Sequence, residues 1–201
     1  MEGEGMLRSQ ALVRSGTLAK MPTTVSFEEA AHMPMVFLTV EYALAEQAKL
    51  TAGERLLVHS AAGGVGLAAI QFAQRVGAEV FATASTPKHA YLQSLGVTNL
   101  STTRDEDVFG KEMSLLVGDR GVDVVLNSLT SGHYVAESVA LLAPRGRFIE
   151  IGKRDIWSEE QTRDLRPDVA FHTHSLNEML PQEPDRMVPM LENLAARAEA
   201  G

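Results

Sequence analysis

The chain has 201 residues, enough for one domain with a sizeable core, and 45% of them are hydrophobic. Its 18 Lys and Arg against 26 Asp and Glu leave a net charge of −8, which argues against a broad nucleic-acid surface or a basic membrane-binding face. The lack of cysteine excludes disulfides, thiolate catalysis and cysteine-ligated metal centres. With no long uncharged apolar run and an acidic start at Met1-Glu2-Gly3-Glu4, the expectation is a soluble cytoplasmic chain.

In chain order, residues 1–20 read as a strand-and-turn arm without a partner of its own, and 21–201 as the main domain. Ser26-Phe27-Glu28-Glu29 has the form of a capping box that opens a short helix. Met33-Pro34 is expected to interrupt it, with a second helix over 36–47. Arg55 to Ser60 is the first clear strand, and Val65 to Val76 follows as a helix with Val65, Ala68, Ala69, Phe72 and Val76 on one face. A strand over 79–84, a helix over 87–95 between Pro87 and Gly96, and a short strand over 98–101 come next. A helix over 105–117 and a strand over 122–127 follow. Helix 131–142 is expected to stop at Pro144-Arg145-Gly146, before a strand over 147–151. A sixth strand over 169–175 and an amphipathic helix over 185–200 complete the pattern. Strand–helix alternation with short connections predicts an α/β fold, a doubly wound parallel sheet of the Rossmann type with about six strands.

The sharpest local signal is Ser60-Ala61-Ala62-Gly63-Gly64-Val65-Gly66, directly after a strand and opening a helix. It has the dinucleotide-fingerprint form with Ala61 in the first glycine's place. Small residues let backbone approach a pyrophosphate, and the helix start presents unpaired N–H groups to it. An NAD site carries Asp or Glu at the end of the second strand, about 20 residues on. Here that segment is Thr83-Ala84-Ser85-Thr86-Pro87-Lys88-His89, with no carboxylate. A hydroxyl and an ammonium suit a 2′-phosphate, so Ser85 and Lys88 point to NADPH rather than NADH. Arg104 is a weaker candidate for the adenine end, and Ser85 or Thr86 could instead cap the next helix. Tyr42, Tyr91 and Tyr134 are followed four places on by Glu46, Leu95 and Ser138, which excludes the Tyr-x-x-x-Lys pair of short-chain reductases.

Several stretches resemble the zinc-independent medium-chain dehydrogenase/reductase family. Within it they are similar to the enoyl reductase domain of polyketide synthases and animal-type fatty acid synthases. They are 26–31, 36–44, 53–59 running into the glycine turn, 80–85, Gly121 to Leu129 with its Asn127-Ser128-Leu129, and Gly146 to Asp155 with its Ile151-Gly152-Lys153-Arg154-Asp155. The resemblance implies hydride transfer from NADPH to an α,β-unsaturated thioester on an acyl carrier protein, among neighbouring synthase domains. It places Thr39 near the nicotinamide and Ala62, Gly63, Gly64 and Val65 along the pyrophosphate. Asn127, Leu129 and Gly152 would flank the nicotinamide end, and Lys153 matches the lysine held to donate a proton or stabilise the enolate.

Two departures from the pattern stand out. Relatives often carry an Asp as partner of that lysine in the segment matching 171–176, where this chain has Ser175. The β-rich substrate lobe of a complete relative is also nearly all missing, so the chain reads as an excised nucleotide-binding subdomain or a naturally truncated reductase, inactive alone. His172 and His174 share one face of a strand, but with no third ligand evident they read as ordinary polar residues, and His59 as packing. No metal is expected. In the family the sheet edge near the last strands can pair between subunits, which makes 169–175 the place for a homodimer contact. The alternatives are a non-catalytic reductase module with a structural or docking role in a synthase, and a stand-alone quinone-oxidoreductase-like enzyme.

Overall fold

Six apolar runs pair as strands: β1 (Arg55–Val58), β2 (Glu79–Thr83), β3 (Asn99–Ser101), β4 (Val122–Asn127), β5 (Leu142–Glu150) and β6 (Ala170–Thr173). Every pairing is parallel, in the order β3-β2-β1-β4-β5-β6. This is the doubly wound dinucleotide arrangement, as the alternation predicts. In this computed structural model residues 9, 10, 13, 15–102, 105–176, 179 and 183–200 are described. Most of the expected 1–20 arm therefore lies outside the described residues, and its one described regular element is a 3-10 turn at Ser15–Thr17.

The central strands have no polar face. Leu56, Leu57, Val58, Val124, Val125, Leu126, Phe148 and Ile149 are each no more than 1% exposed. Parallel strands covered on both faces require such unbroken apolar runs. Each fully buried side chain contributes about 1.5–3 kcal/mol of hydrophobic stabilisation before entropy is counted. Helices α2 (Gly64–Val76), α3 (His89–Ser94), α4 (Glu106–Val117), α5 (Tyr134–Ala140) and α6 (Glu159–Leu165) connect the strands. Helix α2 buries Ala68, Ala69, Phe72 and Ala73, and ends at Gly77, whose φ of 82° lets its N–H reach the carbonyls of Ala73 and Gln74.

By contact density the chain forms two units, one of residues 1–39 with 175–201 and one of residues 40–174. The second holds the sheet. The first holds α7 (Met187–Ala200) and nearly all of α1 (Phe27–Val40). The capping box is present, with Ser26 N–H donating to Glu29 Oε2 (2.8 Å) and Glu29 N–H donating to Ser26 Oγ (3.2 Å). Near the chain ends of this unit, Thr23 N–H donates to Glu199 Oε2 (2.7 Å) and Thr24 Oγ1 to the Ala198 carbonyl (2.7 Å). No helix among the described residues is long and apolar enough to cross a membrane.

Three expectations are corrected. Pro34 does not interrupt α1, because its fixed φ suits a helix and only one intrahelical bond is forfeited. A π-helical stretch, Glu41–Gln47, follows in place of a second α-helix. Pro144-Arg145-Gly146 lies inside β5, not at the end of the preceding helix, which already stops at Ala140. There the β4–β5 register jumps from Val122↔Leu142 to Val124↔Arg147. The bulge is held by Arg145 at φ 62°, whose N–H donates to Asp168 Oδ2 (3.0 Å). Helix α6 is an element that periodicity alone misses. Its signal is the capping box Ser158–Gln161, with Gln161 N–H donating to Ser158 Oγ (3.2 Å) and Ser158 N–H to Gln161 Oε1 (2.9 Å).

Candidate functional site

The carboxyl ends of β1, β2, β4 and β5 carry the sequence-predicted residues within the sheet-bearing unit, around the switch point where the strand order reverses between β1 and β4. After β1 the chain turns sharply, with Ser60 at φ 53° and Gly63 N–H donating to the Ser60 carbonyl (2.9 Å). Ser60 N–H in turn donates to Oγ1 of the buried Thr83 at the end of β2 (3.2 Å), tying the turn to the neighbouring strand. Helix α2 then begins with Gly63 as an extended N-cap, a residue with no side chain to cover the helix start. The first bond into the helix is Leu67 N–H to the Gly63 carbonyl (2.8 Å), so the N–H groups of Gly64, Val65 and Gly66 precede it, as at any helix start.

These residues fit a dinucleotide pyrophosphate. A Cβ on Gly66 would lie 2.5 Å from the Cα of Ala61, so α2 can sit this close to the turn only with glycine there. Gly63 and Gly64 are exposed, with Ala62 and Val65 half-buried, which leaves the helix start open to a phosphate. Beyond β2, Ser85 occupies the N-cap position of the Thr86–Lys88 turn but makes no side-chain cap bond. Lys88 is exposed. Arg104 lies outside the described residues, and Thr39 is half-buried on α1 in the other unit.

On the far side of the switch point, Asn127 ends β4 fully buried. Its Nδ2 donates to Glu150 Oε2 (2.6 Å), and its Oδ1 accepts from Leu129 N–H (3.3 Å). Gly152 N–H donates to Glu150 Oε1 (2.5 Å). A Cβ on Gly152 would meet Thr130 Cγ2 at 2.6 Å and Glu150 Oε1 at 2.7 Å, so a larger residue there would displace these side chains. Lys153 is exposed, and its Nζ donates to the His174 carbonyl (3.0 Å).

The buried histidines are neutral. Burial pushes His59 down to about 3 and His174 down to about 4, the latter with help from the Lys153 charge. His59 packs edge-on against Phe109, and its Nε2 lies 3.1 Å from Ser138 Oγ. That hydroxyl donates to the Tyr134 carbonyl (2.6 Å), so Nε2 carries the proton and donates to Ser138. Its surroundings are those of a packing residue. Among the described residues no group of three or more His, Asp or Glu could hold a metal ion. Glu150 and Thr83 are the partners the sequence reading passes over. Each is a polar residue closing an apolar strand run, which is the available signal.

A parallel sheet in this order, with a glycine turn at its switch point, defines a dinucleotide-binding domain. Comparison with known proteins narrows the class. Residues 64–196 match the family described as zinc-binding dehydrogenase, and the chain belongs to that family. Its similarity lies with the enoyl reductase domains of polyketide synthases, and the stretch it matches is their nucleotide-binding subdomain. It is 42% identical over 187 residues to the pikromycin polyketide synthase component PikAII of Streptomyces venezuelae, covering 92% of this chain and 5% of that protein. It superimposes on the CurF ER cyclopropanase of the curacin A pathway with a TM-score of 0.90 and 39% identity, covering 94% of this chain and 56% of the other. It also superimposes on the nucleotide-binding subdomain of the enoylreductase domain of PpsC from Mycobacterium tuberculosis, with a TM-score of 0.73 and 36% identity. That match covers 83% of this chain and 93% of the other. The family implies a nicotinamide cofactor.

Proposed function

We propose that this chain is the NADPH-binding part of an enoyl reductase acting in polyketide assembly. The observation that carries the reading is the uncapped start of α2 at Gly63–Gly64, followed along the sheet by a β2 end that offers Ser85 and Lys88 in place of a carboxylate. A ribose-binding acid would repel a 2′-phosphate, whereas a free hydroxyl and an ammonium attract one.

When bound, NADPH supplies the hydride that reduces the β-carbon of an α,β-unsaturated thioester on an acyl carrier protein. Ala62, Gly63, Gly64 and Val65 would hold its pyrophosphate by backbone approach, and Asn127, Leu129 and Gly152 would take the nicotinamide end. Lys153, tethered through its Nζ to the His174 carbonyl, would set an ammonium beside the thioester oxygen as negative charge develops there. With Ser175 in place of an acid, that backbone carbonyl is the anchor available to the lysine. Pairing of two copies would use the β6 edge of the sheet, which lies at the end of the strand order. The CurF ER cyclopropanase shares this frame, and the reductive reading is supported by the similarity to the enoyl reductase domains of polyketide synthases.

The test is product analysis of a synthase carrying this domain, given NADPH and a crotonyl thioester. A saturated thioester formed with matching NADPH consumption is expected, and a Lys153→Ala variant should slow it by about 10–100-fold. Recovery of unreacted enoyl thioester would overturn the assignment.

A further inference from the structure

We propose that Glu150 is a positioning residue that fixes the two loops meant for the nicotinamide end of the cofactor, an inference that rests on the NADPH reading above. Its side chain is fully buried, and both carboxylate oxygens are in use. Oε2 accepts from the Asn127 amide (2.6 Å), and Oε1 accepts from Gly152 N–H (2.5 Å). Asn127 in turn accepts from Leu129 N–H (3.3 Å). The result is one continuous chain of bonds, Gly152 to Glu150 to Asn127 to Leu129, which joins the loop after β5 to the loop after β4. Asn127 and Glu150 are register partners at the ends of adjacent strands, so the link spans the mouth of the sheet and not its core.

The arrangement is costly for a group that only fills space. A buried carboxylate gives up hydration that an apolar residue of similar volume would not need. Burial accordingly pushes Glu150 above the usual carboxylate range, against the opposing pull of Asn127, Gly152 N–H and Lys153. What the carboxylate supplies, and an apolar residue cannot, is a double acceptor. It orients the Asn127 amide and holds Gly152 N–H in place.

The donor and acceptor pattern makes the idea testable by a swap. In Glu150→Gln, an amide that keeps its oxygen on Gly152 N–H must turn its NH2 towards the NH2 of Asn127. Flipping Asn127 relieves that clash only by facing its NH2 to Leu129 N–H.

The experiment is calorimetric titration of the full chain with NADPH and, separately, with adenosine 2′,5′-bisphosphate, which lacks the nicotinamide. Glu150→Gln should weaken NADPH by about tenfold while leaving the bisphosphate unchanged. Unaltered NADPH affinity in Glu150→Gln, or equal weakening of both ligands, would overturn the positioning role. Wild-type chain that binds neither ligand would overturn the cofactor reading and this inference with it.

Discussion

Gly66 lies hard against Ala61. A Cβ placed on Gly66 would stand 2.5 Å from both the Cα and the carbonyl oxygen of Ala61, and 2.6 Å from its carbonyl carbon. These are backbone atoms with no rotamer to yield, so Gly66→Ala must push the start of α2 off the turn. The expected cost is about 2–3 kcal/mol in denaturant unfolding, together with weaker dinucleotide binding. A variant with wild-type stability and affinity would show that the close approach is not required.

The choice between the two nicotinamide cofactors should depend on Lys88. Its ammonium is exposed and the adjoining Ser85 hydroxyl makes no cap bond, so neither is committed elsewhere at the end of β2. Lys88→Ala should weaken NADPH by about tenfold and leave NADH nearly unchanged, narrowing the gap between them. An undiminished preference in competitive fluorescence titration would remove Lys88 from the site.

Acid should destabilise the sheet-bearing unit through His59. Burial holds its pKa at about 3 in the folded chain, against an ordinary value of 6.5 in the unfolded one. A base depressed in this way contributes stability in full above pH 6.5 and loses it as the pH falls towards 3. Within that window the unfolded chain takes up a proton that the folded chain refuses, at about 1.4 kcal/mol per pH unit. His174, pushed down to about 4, acts in the same direction. His59→Asn should flatten the dependence of unfolding free energy on pH between about pH 6 and pH 4. An unchanged slope would place the acid sensitivity elsewhere.

At the opposite end of the sheet, Arg147 clamps Glu54 with two bonds of 2.8 and 3.0 Å and donates a third to the Ala48 carbonyl (2.9 Å). Burial alone would raise Glu54, but the Arg147 bonds and Thr51 N–H more than offset it and hold the carboxyl below its usual range. Arg147→Met should cost about 1–3 kcal/mol, and pairing it with Glu54→Gln should cost less than the two single changes added. Strict additivity in that cycle would mean the pair does not couple.

The strands and the glycine turn were legible for different physical reasons. Leu56-Leu57-Val58 and Val124-Val125-Leu126 have no polar face because the sheet is covered on both sides, and few other folds demand such runs. Ala61 to Gly66 is legible because a close backbone approach can be met only by small residues. What escaped depends on partners distant in sequence. Pairing of Asn127 with Glu150 follows from a register set by the bulge at 143–146, where Pro144 and Gly146 read locally as a helix stop. Lys153 meets a backbone carbonyl, and a carbonyl leaves no mark in the sequence. Pro34 reads as a breaker because local propensity says nothing of the packing that carries a helix through it.

The most direct test of the account is a paired equilibrium titration of the chain and its Gly64→Asp variant with NADPH and NADH. A carboxylate at the start of α2 would face the pyrophosphate while leaving the helix able to form. The unmodified chain should bind NADPH more tightly than NADH, and Gly64→Asp should retain its circular dichroism spectrum but lose NADPH binding. Equal affinity of the two proteins for NADPH would contradict it.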